Sequence, residues 1–354
     1  MAVSTIDPNG LNIGQIGGTR NKIINGAMVI DQRNAGAAVT ASGSFPVDRF
    51  IAINNTNGAF SAQRVAEAPA GFVNSTKITT TTADATLTTT ENMLLTCRVE
   101  GFNVSDLGWG AVGAKTITVS FWVRSSLTGT FGGSIRNNGS TRSYPFTYSV
   151  SAADTWEYKT VTIAGDTSGT WLTDNGIGLI LTFGLGAGPD RSGTPGAWNS
   201  NNNISAPGAV SLVGTLNATW QITGVQLEAG DTATPFEHRS YGQELALCQR
   251  YYLHVNGNGN QRMAVSGNYT GNTAFPTLYF PTVMRAAPTL TTSAANTFKT
   301  EQLNGGTQTL TSIGADSSGP DRYTLGLTVG SSLTYPINLL ANGVPCFLGF
   351  SAEL

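Results

Sequence analysis

The side chains that could act as nucleophiles, general bases or metal ligands are few in this sequence and lie far apart. Its histidines are His238 and His254, and its cysteines are Cys97, Cys248 and Cys346. A Ser-His-Asp triad needs an imidazole held beside a hydroxyl, and a zinc site needs several Cys or His ligands at close spacing. Neither pattern occurs, and the sequence has no calcium loop and no phosphate-binding glycine loop. We therefore predict no catalytic residue, no metal site and no cofactor, and we expect the cysteines to be buried free thiols.

Glycoside hydrolysis is a chemistry that the composition leaves open, because it needs only two carboxyl groups a few ångströms apart. The 21 acidic residues offer pairs such as Glu91 with Glu100, or Asp154 with Glu157. None of these pairs stands in a recognisable sequence setting. The sequence therefore favours a protein without enzymatic activity and keeps a glycan depolymerase as an alternative.

Aromatic and planar polar side chains in predicted loops could bind sugars. Sugar recognition uses aromatic faces that stack on a ring, together with planar polar groups that hydrogen-bond to its hydroxyls. The candidate carbohydrate-binding residues are Trp109, Tyr144, Trp171, Asp190, Arg191 and Trp198. Each of them could also serve only to pack or anchor its loop.

Strands joined by polar loops must position these side chains. Alternation of apolar and polar residues predicts strands over 116–124, 156–163, 176–185 and 220–227. Trp122 falls on the polar face of the first, where it either packs under a sheet or loop or offers a stacking surface. In the last, the apolar positions change from even to odd at Gly224, which predicts a β-bulge. Because no helical pattern separates the strands, we predict an antiparallel β-sandwich.

The N-terminal region and the linker over residues 186–213 have few core residues. Residues 1–18 contain four glycines and one proline, so we expect an arm that is either flexible or ordered against a neighbouring protein. A first strand is predicted over residues 22–33. Asp48 and Arg49 are interpreted as a polar tie near a strand start. A linker as long as 186–213 is typically functional or mobile.

The pattern changes after Pro235. Ser240 and Gln243 have capping-box spacing, and Leu245, Cys248 and Tyr252 recur at helical intervals, which predicts a short helix. Further strands are predicted over residues 275–284, 288–292, 323–329 and 344–354. The domains expected are an arm (1–18), a sandwich (19–240) and a smaller β-rich domain opened by the helix (241–354).

Charge and hydropathy limit the partners. Charged residues make up 11% of the 354 residues, the net charge is −2, and no block of Lys or Arg occurs, so we expect no nucleic-acid partner. No run of 18 apolar residues and no signal-peptide pattern occurs, so we expect no membrane insertion and no secretory export.

Several segments resemble virion proteins of tailed bacteriophages, namely tail fibres and head fibres or decoration proteins. They are ITGVQLEAG (222–230), ATPFEHRSYGQELALCQRYY (233–252), INGAMVIDQRNAG (24–36), PVDRF (46–50), FPTVMRAAPTL (280–290) and GFSAEL (349–354). Phe50 stands where the family often has Trp. The resemblance implies a jelly-roll domain similar to carbohydrate-binding modules over residues 19–240, and it implies a structural role for His238.

The same resemblance implies a particle protein assembled in the host cytoplasm and located in the virion. It implies a homotrimer, contact with other capsid or tail proteins through the N-terminal arm, and contact with host surface polysaccharide. The candidate residues for a contact between copies or domains are Leu245, Cys248, Tyr251 and Tyr252. Location on head or tail is left open, and a free sugar-binding module is the other alternative.

Overall fold

The computed structural model describes residues 20–302 and 304–354. They form two compact units, of which the first ends at Arg239 and the second comprises Ser240–Leu354. Every strand pair within the described sheets is antiparallel. The predicted all-β fold with one short helix is therefore confirmed. The predicted arm, residues 1–18, lies outside the described residues.

The strands of the first unit form two sheets. Their bounds are β1 Ser44–Val47, β2 Phe50–Asn54, β3 Ala59–Val65, β4 Ser75–Thr82, β5 Asn92–Glu100, β6 Ile117–Ser125, β7 Gly129–Arg136, β8 Ser143–Val150, β9 Glu157–Ile163, β10 Ile177–Ala187 and β11 Thr219–Ala229. One sheet has the order β1-β2-β5-β10-β7-β8, and the other has the order β3-β4-β11-β6-β9. The chain crosses repeatedly from one sheet to the other, as in a jelly-roll sandwich. The four strands that alternation predicted over 116–227 are confirmed as β6, β9, β10 and β11.

The core of this unit lies between the two sheets. The inward residues of β6 are Ile117, Val119, Phe121 and Val123, and all of them are fully buried. Phe121 of β6 meets Phe183 of β10 with ring centroids 5.0 Å apart. Burying one such aromatic side chain contributes about 1.5–3 kcal/mol, so these cross-sheet contacts hold the sandwich closed.

The bulge predicted at Gly224 is confirmed. Thr223 pairs with Trp122 and Gln226 pairs with Ser120, so two residues of β11 stand opposite one residue of β6. Gly224 has a φ of 62°, in the left-handed region that glycine adopts without strain. Because of this extra residue, Ile222 before the bulge and Val225 after it both face the core and are fully buried.

The strand predicted over residues 22–33 is wrong, because this segment folds as a series of turns. Asn25, with a φ of 61°, uses its side-chain amide to donate to the carbonyls of Ile30 and Asp48. Its side-chain oxygen also accepts from the N–H of Ile30 at 2.9 Å. Side-chain bonds of this kind satisfy the backbone locally and compete with a strand ladder.

The tie predicted near Asp48 and Arg49 joins three segments of the first unit. The carboxylate of Asp48 accepts from the backbone N–H of Gln32 at 3.1 Å and pairs with Arg33 at 3.4 Å. The guanidinium of Arg49 donates to the carbonyl of Arg98 at 2.6 Å. Both side chains therefore fasten the turn segment and β2 to the sheet.

The second unit begins with helix α1, Tyr241–Gln249. The predicted capping box is present, with the Ser240 hydroxyl accepting from the N–H of Gln243. The strands that follow are β12 Tyr252–Gly257, β13 Arg262–Ser266, β14 Tyr269–Thr270, β15 Thr273–Ala274, β16 Thr277–Tyr279, β17 Thr289–Thr292, β18 Phe298–Gln302, β19 Thr307–Ser318, β20 Arg322–Val329, β21 Ile337–Ala341 and β22 Cys346–Ser351. They form one sheet of order β12-β22-β17 and a larger sheet containing β13, β21, β18, β19, β20, β15 and β14, with β16 on β20.

The three cysteines are buried and not paired in disulfides, as predicted. Cys97 lies on the core face of β5. The thiol of Cys346 approaches the sulfur of Met263 at 3.7 Å, and burial raises its pKa. These thiols contribute packing to the two units.

Candidate functional site

Four of the six candidate carbohydrate-binding residues come together as one group of rings, Trp109, Tyr144, Trp171 and Trp198, which we call the aromatic cluster. The ring centroid of Trp109 lies 4.7 Å from that of Trp171 and 5.3 Å from that of Trp198. Trp171 and Trp198 are 5.4 Å apart, and Tyr144 lies 5.2 Å from Trp198. All of these contacts are edge-to-face. The rings therefore pack against one another rather than side by side as a flat platform.

Each indole of the aromatic cluster donates its N–H to a backbone carbonyl. The pairs are Trp109 with Lys115 (2.7 Å), Trp171 with Ser168 (3.1 Å) and Trp198 with Ala164 (2.8 Å). All three rings are partly buried against the sandwich core. Burial also raises the pKa of Tyr144. The cluster therefore joins the loop before β6, the loop after β9 and the linker after β10.

An ion pair supports the same loops. Two nitrogens of Arg142 each donate to the carboxylate of Asp166 at 2.7 Å, and that carboxylate is only 2% exposed. The hydrogen bond to Asp166 raises the pKa of Arg142. The guanidinium carbon also lies 6.0 Å from the ring centroid of Trp198, within reach of a cation–π contact. These contacts explain the aromatic cluster as a loop anchor, while sugar binding by its outer edges stays a prediction.

A groove lies elsewhere, on the outer face of the six-stranded sheet. We call it the Arg136 groove, and its volume is about 390 Å³. Its lining residues are Ile53, Asn55, Asn92, Leu94, Thr96, Arg98, Arg136, Asn138, Ser140, Ile177, Ile180, Arg191, Asn202 and Ile204. The volume falls within the range of small-molecule sites, about 300–1,000 Å³.

The alternation of inward and outward side chains along the strands determines which residues form the floor of the Arg136 groove. On β5, Leu95 and Cys97 belong to the core, so Leu94, Thr96 and Arg98 face outward. Thr96 donates its hydroxyl to the carbonyl of Leu181 at 3.0 Å, which ties β5 to β10 beneath the groove. The floor therefore consists of rigid sheet residues from neighbouring strands.

The linker between β10 and β11 forms one wall of the Arg136 groove. Ser192 and Ser205 pair across it, and the N–H of Ile204 donates to the carbonyl of Arg191 at 2.8 Å. A Cβ on Gly184 of β10 would lie 2.9 Å from the Cβ of Ser205, and one on Gly132 of β7 would lie nearer still to that side chain. Glycine at these two strand positions lets the linker lie directly on the sheet.

Three arginines, Arg98, Arg136 and Arg191, line the Arg136 groove. Arg136 is 9% exposed; it donates to the side-chain oxygen of Asn202 at 2.7 Å and to the hydroxyl of Thr182 at 3.1 Å. Its Nε makes no hydrogen bond within the protein. Burial, followed by repulsion from Arg191 and Arg98, lowers the pKa of Arg136 to about 10. Arg136 therefore brings a buried positive charge to the groove at neutral pH.

No carboxyl group is among the described residues that line the Arg136 groove. Glu91 accepts from Asn57 at 3.2 Å, and Asp154 lies 3.8 Å from Arg124. A hydrogen bond from Lys159 lowers the pKa of Glu157, whereas a general acid in glycoside hydrolysis needs a raised pKa. The acidic pairs considered in the sequence are thus engaged with other partners.

The two histidines also have packing partners. His238 lies 5.3 Å from the ring of Phe72 and 4.9 Å from that of Phe236. His254 stacks on Phe347 at 5.0 Å. In the described part of the chain, no group of three His, Cys, Asp or Glu side chains is placed to hold a metal ion, and no helix is long and apolar enough to cross a membrane.

The remaining sequence candidates are dispersed. Arg191 lines the Arg136 groove and donates to the carbonyl of Thr90 at 3.4 Å, whereas Asp190 is exposed and is not part of the lining. In the second unit, Cys248, Tyr251 and Tyr252 are buried, and Leu245 is half-buried. A role of these four residues in contacts between copies stays a prediction.

Sequence reasoning found only Arg191 among the residues of the Arg136 groove. The others were missed because they come from three loops and from β2, β5, β7 and β10, strands whose order in the sheet differs from their order in the chain. The groove could have been suspected from β5. Its outward-facing residues are Leu94, Thr96 and Arg98, so a charged side chain stands on a strand that is otherwise buried on both faces.

No protein-family model and no curated protein matches the sequence. Similar solved structures include the enzymatically active domain of tailspike protein 4 from bacteriophage CBA120, at 11% identity and a TM-score of 0.31, covering 60% of this chain and 22% of that chain. The TmCBM61 module in complex with β-1,4-galactotriose has 10% identity and a TM-score of 0.31, covering 60% of this chain and all of its own. A family 11 carbohydrate-binding module of Clostridium thermocellum has 12% identity and a TM-score of 0.28, covering 57% of this chain and 100% of its own.

Proposed function

We propose that residues 20–239 bind a glycan in the Arg136 groove without cleaving it. The observation that carries this proposal is the lining of the groove, in which amide, hydroxyl and guanidinium groups alternate with aliphatic side chains. Asn138 and Asn202 offer hydrogen bonds to sugar hydroxyls. Ile53 and Ile177, which are half-buried, offer apolar surface for the C–H face of a sugar ring.

Binding is favoured over hydrolysis because of the charges in the groove. Retaining and inverting glycosidases position two carboxyl groups on either side of the scissile bond. The described lining of the Arg136 groove carries guanidinium groups instead. A depolymerase would therefore need a second site.

We further propose that the chain acts in this way on a tailed-phage particle, as a short fibre or decoration protein. The support is the set of separate segments that resemble virion proteins, from INGAMVIDQRNAG (24–36) to GFSAEL (349–354). A homotrimer that reaches host polysaccharide follows from the same resemblance. A free sugar-binding module is the alternative, and it would use the same groove.

A glycan array with the full chain tests the binding proposal. We expect binding by the native protein and a loss of about tenfold or more for Asn202→Ala, which removes an amide from the groove wall. Trp171→Ala serves as the comparison, because Trp171 belongs to the aromatic cluster. If Trp171→Ala lost binding and Asn202→Ala kept it, the site would lie at the aromatic cluster. Release of reducing ends from a bound polymer would favour the depolymerase.

Light scattering and particle imaging test the virion proposal. We expect a species of three times the 36.9 kDa chain mass, and labelled protein on the capsid or tail of particles. Removal of residues 1–18 should abolish incorporation into particles without changing the unfolding curve. A monomer at micromolar concentration, with no incorporation of the full chain, would support a free sugar-binding module.

A further inference from the structure

The ligand class of the Arg136 groove can be inferred from its charges. Guanidinium groups from three separate elements converge there: Arg98 from β5, Arg136 from β7 and Arg191 from the linker. Like charges repel, so bringing these groups together has an electrostatic cost for Arg136, which a bound anion would reduce. The described lining contains no Asp or Glu.

Arg136 has the least access to water of the three. It is 9% exposed, and its hydrogen-bond partners Asn202 and Thr182 are uncharged. Burial and the two neighbouring arginines lower its pKa to about 10. A buried guanidinium with neutral partners keeps its charge at pH 7 at a cost in stability, and a bound anion would remove much of that cost.

We propose that the Arg136 groove binds a saccharide that carries an acidic group, and that Arg136 and Arg191 hold that group. This inference rests on the proposed glycan-binding function and specifies its substrate class. Guanidinium groups bind carboxylate, sulfate and phosphate oxygens with paired hydrogen bonds. The aliphatic side chains and asparagines around them contact the sugar ring and its hydroxyls.

A nucleic acid would satisfy the same charges but not the rest of the groove. Single-stranded nucleic acids bind by stacking bases on aromatic side chains along a basic track. The described lining contains no aromatic residue, and the rings of the aromatic cluster are engaged with one another. The aliphatic floor therefore favours a sugar ring over a stacked base.

The test is an array of acidic polysaccharides, each printed intact and with its acidic group removed. Uronic acid polymers are paired with their carboxyl-reduced forms, sulfated polymers with desulfated forms and phosphate-bearing polymers with dephosphorylated forms. We expect the full chain to prefer an intact form at least tenfold, and the preferred pair identifies the acidic group. Binding should also weaken severalfold between 50 and 200 mM salt, about as expected for a charge-assisted contact.

Variants locate the effect. Arg136→Gln and Arg191→Gln should each reduce the preference for the intact form about 10- to 100-fold, because each removes a charged hydrogen-bond donor. Arg191 is half-buried on the linker, so its variant tests the inference even if Arg136→Gln alters folding. Arg124→Gln is the matched control, because Arg124 lies on β6 in the other sheet and pairs with Glu67 at 3.0 Å.

The outcomes separate the two proposals. Equal binding of intact and neutralised forms, or a preference that Arg191→Gln leaves unchanged, overturns the acidic ligand and leaves glycan binding standing. Absence of binding to every printed glycan overturns both. Tighter binding to a single-stranded oligonucleotide than to any glycan overturns the ligand class in favour of nucleic acid.

Discussion

Arg136→Gln is expected to make the protein more stable, although most substitutions of buried residues destabilise. The pKa of Arg136 is lowered to about 10, well below the ordinary value of an arginine side chain. At about 1.4 kcal/mol for each pH unit, this difference corresponds to roughly 3 kcal/mol of destabilisation while the side chain is charged. The group is a base whose pKa is lowered on folding, so the cost is fully present below about pH 10 and disappears as the pH rises toward the ordinary pKa of arginine.

The substitution also removes favourable contacts. Arg136 donates to Asn202 and to Thr182, and glutamine keeps an amide that can replace one of these hydrogen bonds. Losing the other costs about 1 kcal/mol. The expected net effect at pH 7 is therefore an increase of about 1–2 kcal/mol in the free energy of unfolding, measured by urea denaturation of the full chain.

Arg142→Gln is the matched control, because it changes the same residue type six positions away. Arg142 pairs with the nearly buried carboxylate of Asp166 at 2.7 Å, and removing it leaves that carboxylate without its ion pair. We expect the free energy of unfolding to fall by about 2–3 kcal/mol. If Arg136→Gln destabilised the protein as much as Arg142→Gln does, the interpretation of Arg136 as an uncompensated charge would be refuted.

Three further predictions concern the sandwich and the linker. Gly224→Ala should lower the free energy of unfolding, measured by urea denaturation, by about 2–3 kcal/mol, because φ is 62° and the new Cβ would lie 2.7 Å from the Phe72 ring. A neutral effect would argue against the bulge. Gly184→Ala should raise hydrogen exchange over residues 200–206 and weaken glycan binding several-fold, since its Cβ would lie 2.9 Å from Ser205; unchanged exchange would contradict the close contact. Burial opposes ionisation of Glu237, but hydrogen bonds from the N–H groups of Asn21 and Arg20, and then Arg239, lower its pKa below 4.5. The stability that the ionised Glu237 side chain contributes is therefore present above pH 4.5 and is lost at lower pH. Glu237→Gln should cost about 1–2 kcal/mol at pH 7 and nothing near pH 2, as followed by denaturation at both pH values.

Strands with strict alternation could be predicted from the sequence. β6 and β10 read as strands because their inward positions are filled by large apolar residues such as Phe121 and Phe183. The bulge could be predicted because a change of face needs an extra residue, and Gly224 stands at the change. These features depend on local pattern alone.

Features that depend on tertiary contacts could not be predicted. β7 contains Gly129, Gly132 and Gly133 and has little strand propensity, yet it forms a strand because it pairs with β8 and β10. Residues 22–33 have the apolar content of a strand, but the side chain of Asn25 holds them in turns. Strand pairing therefore decides the conformation of β7, whereas side-chain bonds to the nearby backbone decide that of residues 22–33.

The candidate site also contains residues that could be predicted from the sequence and residues that could not. Residue type selected Trp109, Trp171 and Trp198, and the structure brings them together, but packed edge to face against one another. The Arg136 groove combines β5, β7, β10 and the linker, so its composition follows from the sheet order. Arg191 alone could be found, because it lies in a linker whose length already indicated a function.

The way the linker lies on the sheet has a consequence for engineering. It supplies Arg191, Asn202 and Ile204 to the groove, while the strands beneath contribute glycine at Gly132 and Gly184. The buried residues 203–206 and Trp198 hold the linker on the sandwich, whereas Arg191 and Asn202 are only half-buried. Varying the positions around Arg191 and Asn202 while keeping Trp198 and residues 203–206 should therefore alter ligand preference while the sandwich keeps its stability, which makes these positions the place to build a library of new specificities.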